Sequence, residues 1–184
     1  MTVWTIGHSN RAQGVFIGML AESQIELVAD VRSFPRSRTN PQFNGDALEP
    51  ALAEAGIGYV HLAKLGGRRG RGGERGPSPN SFWREGGFRN YADYALTPPF
   101  REGLATLIQL SGERRTAIMC AEAVWWRCHR RLITDYLLAA DIPVIHIMAE
   151  GRTEPAKLSE GACIGEDGRI TYPGPQPDLF APRA

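Results

Sequence analysis

The order of apolar and amphipathic segments predicts an α/β protein: three layers, with a mostly parallel sheet of about five strands and helices on both faces. Two observations carry this. Short runs such as VWTI (3–6), ELVADV (26–31), TAIMC (116–120) and PVIHIM (143–148) are almost continuously apolar, as strands covered on both faces are. Segments with helical spacing stand between them, so strand and helix alternate as in βαβ units. The 184 residues, 42% of them hydrophobic, suit one domain with an ordinary core.

Each element has its own signal. Val3–Ile6 is a strand that leaves into Gly7-His8-Ser9-Asn10, and Ser9 or Asn10 is placed to cap the next helix. Val15, Phe16, Met19 and Leu20 recur at helical spacing. Residues 26–31 form the second strand. A second helix over 46–55 carries Leu48 and Leu52, with Gly56 as its C-cap. A third strand spans 58–62. Residues 64–90 break the pattern, with eight glycines and seven Lys or Arg against two Glu, and read as one long basic loop. Helical stretches follow at 91–96 and 99–110, then the fourth strand (116–120). The next helix, 130–140, has Leu132, Ile133, Tyr136 and Leu137 on one face, and 143–148 is the fifth strand. The organisation expected is a single α/β domain over 1–158 and an extended, Pro-containing segment over 159–184.

Charge narrows the function classes. Lys plus Arg number 21 and Asp plus Glu 20, for a net charge of +1, so bulk charge does not coat nucleic acid; a local patch still can. No apolar run reaches the ~18 residues of a membrane span. The start, MTVWTIG, lacks the basic and apolar regions of a signal peptide. A cytoplasmic protein without a membrane partner is expected. Three cysteines, an odd and sparse set, favour thiols, metal ligands or a nucleophile over a disulfide framework.

Four strings, TIGHSNR (5–11), DVRSFPRSRTNPQFN (30–44), GFRNYADY (87–94) and CAEAVWWRCHRRLITDYL (120–137), together resemble the domain of unknown function 488 family. The resemblance runs from Trp4 to about Leu158. It implies a small cytosolic α/β domain and says little about activity.

Parallel sheets place their sites at the carboxyl ends of the strands, and there this sequence keeps its chemistry. His8, Asp30, Cys120, Glu122 and His129 are the candidate catalytic groups, with Glu122 or Asp30 favoured as base. Ser9, Asn10, Arg11, Arg32, Arg36 and Arg130 are candidate anion ligands, because guanidinium forks match phosphate and carboxylate. The plainer reading is that Asp30–Arg32 and Glu122–Arg130 pairs hold loops together. Cys120, followed by a loop, arginine and helix, resembles the order in cysteine phosphatases and rhodanese-like sulfurtransferases, and Asp30-Val31-Arg32 resembles a rhodanese motif. The loop carries Val124-Trp125-Trp126 where small residues would let amides turn inward. Cys120 also reads as a buried small hydrophobe. No motif demands a cofactor; the alternative is zinc on Cys120, Cys128 and His129. His61 and His146, inside strands, read as satisfied histidines.

The basic loop offers Arg68, Arg69, Arg71, Arg84 and Arg89 for a phosphate backbone and Trp83 for base stacking; the plainer reading is a solvated loop whose aromatics return to the core. The tail Gln176-Pro177-Asp178-Leu179-Phe180 resembles the short peptide with which bacterial replication and repair proteins enter the sliding clamp. Gln176, Leu179 and Phe180 would be its anchors. The leading expectation is a DNA-associated protein that processes nucleic acid or nucleotides and is tethered to the clamp. The alternatives are a rhodanese-like thiol enzyme for a small anion, or a non-catalytic adaptor.

Overall fold

The computed structural model describes residues 1–70 and 77–174. Strand β1 (Val3–Gly7) leads to helix α1 (Gln13–Glu22), β2 (Leu27–Asp30), α2 (Gly45–Glu54) and β3 (Gly58–His61). Helices α3 (Gly86–Ala95) and α4 (Pro98–Glu113) precede β4 (Thr116–Cys120). Then come α5 (Arg130–Ala139), β5 (Val144–Ala149), β6 (Arg152–Pro155) and a hairpin of β7 (Cys163–Ile164) and β8 (Ile170–Thr171).

The main sheet has six strands in the order β3-β2-β4-β1-β5-β6. Its first five are mutually parallel and β6 closes the edge antiparallel to β5. The three central strands β2, β4 and β1 are buried along their whole length, which explains their unbroken apolar sequence. The fold is the expected three-layer α/β arrangement. The sixth strand escaped the sequence reading because RTEP is polar and sits on an edge, where one face and one row of backbone groups meet water.

One face is covered by α1 and α2: Phe16, Met19 and Leu20, spaced for one helix side, pack with Leu48, Leu52, Ile6 and Val28. The other face takes α3, α4 and α5, with Tyr91, Phe100, Leu107, Leu132, Ile133 and Leu137 around Val3, Ala29 and Ile118. Gly56 ends α2 with φ +73°, the left-handed conformation a C-cap requires. No side chain caps α1, whose N-cap is Ala12 rather than Ser9 or Asn10. Ser9 itself has φ +51°.

The 64–90 segment is less of a loop than its composition suggests. Residues 63–65 form a 3-10 turn, and α3 begins at Gly86, five residues before its first strong helical signal. Trp83 is buried, stacked on Phe88 and edge-on to Phe82 and Tyr172. It is a core residue, so the expectation of base stacking is corrected: burial of its rings against α3 and residue 172 outweighs exposure. The segment after Leu158 also differs from an extended strap as far as residue 172. Ile170 and Tyr172 are fully buried, and the Tyr172 hydroxyl donates to Asp135 at 2.7 Å.

No helix among the described residues is long and apolar enough to cross a membrane. Arg71, Gln176, Leu179 and Phe180 lie outside the described residues.

Candidate functional site

The crossover from β1 leaves over one face through α1, and the crossover from β4 leaves over the other through α5. These two strands are neighbours, with Gly7 opposite Cys120. Diverging connections open a crevice at such a point. A cavity of about 450 Å³ lies there, lined among others by His8, Arg32, Phe34, Arg36, Arg68, Glu85, Cys120, Glu122, Arg127, Cys128 and His129.

The cavity has two chemically different halves. In the first, Asp30 is fully buried and Arg32 nearly so. Arg32 Nε donates to both Asp30 oxygens at 2.9 and 3.0 Å, Nη2 to Oδ2 at 2.5 Å, and the Arg32 amide to Oδ1 at 3.0 Å. Tyr59 Oη adds a further donation to Oδ2 at 2.8 Å. Asp30 therefore has no free lone pair with which to act as a base. Burial works against the Arg32 charge, but the Asp30 carboxylate more than offsets it and raises the Arg32 pKa.

His8 completes this half. Its Nδ1 lies 2.8 Å from the Ser9 carbonyl. A carbonyl only accepts, so Nδ1 carries the proton and Nε2 accepts from Arg32 Nη1 at 3.3 Å. The ring stacks on Phe43 at 4.3 Å. Burial, foremost, with Arg32 beside it, lowers the His8 pKa to about 4, against a raising hydrogen bond to Ser9. At neutral pH His8 is an uncharged, fully bonded side chain.

The second half is built of sulfur. Cys120 ends β4, and Cys128 and His129 immediately precede α5. His129 Nε2 lies 2.8 Å from the Val31 carbonyl, so it bears the proton and Nδ1 presents a lone pair. That lone pair faces Cys128 Sγ at 3.5 Å and Cys120 Sγ at 3.8 Å. The Arg130 amide donates to Cys128 Sγ at 3.5 Å. Burial opposes ionisation of Cys128, but the hydrogen bond from Cys120 and the nearby Arg130 guanidinium bring it well below the usual thiol value. Cys120 moves the opposite way, well above it, chiefly by its hydrogen bond to Cys128 and then by burial. Of the two thiols, Cys128 lies nearer His129 Nδ1.

The start of the glycine-rich segment closes over this half. A Cβ on Gly67 would stand 2.3 Å from His129 Nδ1, and one on Gly66 2.7 Å from Ser33 Oγ. The Arg68 amide donates to Ser33 Oγ at 2.8 Å. Gly66 and Gly67 serve close packing here rather than a moulded phosphate loop.

The anion ligands sort sharply. Arg130 is 1% exposed and absent from the cavity lining, which corrects its expected role. Its guanidinium donates to Thr5 Oγ1 at 3.2 Å and the Glu122 carbonyl at 2.7 Å, tying β1 to the loop after β4. Arg11 donates to the carbonyls of Gly7 and Met148. Ser9, Asn10 and Arg11 are not in the cavity lining. Arg69 is spent on the Gly66 carbonyl and the Tyr94 ring, 3.6 Å away. Arg84 and Arg89 lie outside the lining as well. Arg36 and Arg68 do reach the cavity, joined by Arg127, which is not among the expected anion ligands. It ends the 3-10 turn 125–127, three residues before Arg130. Phe34, 68% exposed, was the other omission. Glu122 is exposed at the rim, the one carboxylate of the expected set free to act. His61 donates to the Arg32 carbonyl at 2.7 Å, and His146 bonds Thr5 Oγ1 at 2.8 Å.

Together the fold and this cavity define an α/β protein with a basic-rimmed, thiol-floored site at the strand ends. A family model described as a domain of unknown function, DUF488, matches residues 12–137, and the chain belongs to that family. No curated protein and no solved structure matches the chain.

Proposed function

We propose that the protein binds a phosphate-bearing ligand of nucleotide size in this cavity and acts in DNA metabolism, processing a nucleotide or the end of a nucleic-acid strand. The observation that supports it is the meeting of three uncommitted arginines, Arg36, Arg68 and Arg127, with two thiols, His129 and Glu122 around one cavity. All three guanidiniums are exposed at the rim, Arg36 with only a loose, exposed contact to Asp46 at 3.9 Å, and planar forks suit phosphate. The volume of about 450 Å³ is that of a small-ligand site and far too small for a duplex, so DNA would enter as an end or as an unstacked nucleotide. The exposed Phe34 offers a ring face to a base. The test is titration with a labelled mononucleotide and a short single strand, beside inorganic phosphate. Arg68→Ala/Arg127→Ala is expected to weaken binding roughly 10-fold or more; unchanged affinity rejects the reading.

The tail carries the second part of the proposal, that Gln176, Leu179 and Phe180 dock in the sliding clamp. Its support is the sequence pattern. Binding to the organism's own clamp, lost in Leu179→Ala/Phe180→Ala, is the expected result. No binding by the unaltered chain removes the tether from the proposal.

A rhodanese-like thiol enzyme is the second reading, favoured by Cys128 Sγ lying within 3.5 Å of both His129 Nδ1 and the Arg130 amide. The Cys128 thiolate would attack the outer sulfur of thiosulfate, forming an S–S bond as sulfite leaves with the bonding pair. Mass spectrometry is expected to find one added sulfur on Cys128. An unmodified thiol after incubation rejects it.

A further inference from the structure

We propose that Cys120, Cys128 and His129 form a three-ligand metal site, for zinc or another thiophilic divalent ion, whose fourth position opens into the cavity. The donor atoms Sγ, Sγ and Nδ1 all lie within 4.8 Å of one another. Tetrahedral zinc with metal–sulfur bonds of ~2.3 Å and metal–nitrogen bonds of ~2.1 Å sets neighbouring sulfur and nitrogen ligands about 3.6 Å apart. The two separations here are 3.8 and 3.5 Å.

The surroundings fit the same site. A ligating histidine usually gives its other N–H to a carbonyl or carboxylate, which fixes the ring and exposes the ligating lone pair. The Val31 carbonyl does this for His129. Metal binding requires thiolates, and two of them with a neutral imidazole balance the charge of a divalent ion. Before the ion binds, the Arg130 charge favours those thiolates: the guanidinium is buried and has no carboxylate within salt-bridge distance among the described residues. Its Nε is buried without a hydrogen-bond partner. All three ligand residues line the cavity. Three protein ligands with an open fourth position is the pattern of catalytic rather than structural zinc. An anionic group held by the arginine rim would approach that position.

The metal site stands whichever ligand the cavity takes. The full-length protein, reduced and stripped with a chelator, is titrated with Co²⁺ and then with Zn²⁺ in competition. One ion per chain is expected, with a thiolate-to-cobalt charge-transfer band that Zn²⁺ bleaches. Cys128→Ser and His129→Ala are each expected to lower Zn²⁺ affinity roughly 100-fold or more, while Cys163→Ser, at an exposed cysteine outside the cluster, leaves it unchanged. X-ray absorption of the zinc-loaded unaltered chain, which needs no variant to fold, is expected to find two sulfur ligands and a histidine nitrogen. A first shell of oxygen and nitrogen alone, or no uptake at equimolar metal, overturns the site. Metal uptake without nucleotide binding would reject the proposed ligand and keep the metal site; the reverse would do the opposite.

Discussion

The two halves of the cavity each hold a histidine tied to a backbone carbonyl, and they differ in what the second ring nitrogen meets. His8 Nε2 meets Arg32, which is itself locked to Asp30. His129 Nδ1 meets two thiols and no committed donor network. A buried ion pair with every lone pair satisfied holds loops in place and has little left with which to bind anything. A lone pair between two ionisable sulfurs has its capacity still to use. The comparison separates scaffold from chemistry within one site, although both halves read from the sequence as strings of reactive residues.

The comparison breaks most visibly at Asp30. Asp30→Ala leaves Arg32 as an uncompensated buried charge, and unfolding by urea is expected to show a loss of about 3–5 kcal/mol. If stability holds, the first half is not the scaffold. Acid acts next. Burial lowers both His8 and His146 to about 4, with Arg130 adding to the effect at His146. Between about 4 and the ordinary value of 6.5 the unfolded chain binds more protons, so stability is full above about 6.5 and falls as pH drops toward 4. His146→Gln is expected to flatten part of that slope in melting curves taken across this range. An unchanged slope would show that His146 titrates normally in the folded chain.

Gly67→Ala sharpens the second half. The added methyl must displace His129, at an expected cost of about 1–3 kcal/mol and with weakened metal uptake. A variant with native uptake would show that the loop moves instead of the imidazole. The smallest stability effect belongs to the rim. Arg68→Ala and Arg127→Ala are exposed changes expected to stay within about 0.5 kcal/mol of the unaltered chain while reducing anion binding. A marked drop in melting temperature would mean that the rim also belongs to the scaffold.

Much of this was legible beforehand. Unbroken apolar runs gave the buried strands, and Leu132, Ile133, Tyr136 and Leu137 gave the buried face of α5. The site's location followed from the strand ends. The assignment of roles did not. Arg127 and Arg130 are three residues apart with the same side chain, yet one lines the cavity and the other is sealed beneath it. Trp83 sits in a Gly- and Arg-rich stretch but belongs to the core through Phe88 and Tyr172. Contacts between residues distant in sequence leave no mark in local spacing.

The sequence by itself determined the layers, the crossovers and therefore the edge of the sheet where chemistry gathers, because hydrophobic period and chain order are local properties of a one-dimensional string. Only the tertiary structure decided which polar groups there are spent and which remain free. That depends on whether a buried donor finds its acceptor across the sheet, as Arg32 finds Asp30 and Arg130 finds the Glu122 carbonyl, and folding settles that pairing in three dimensions.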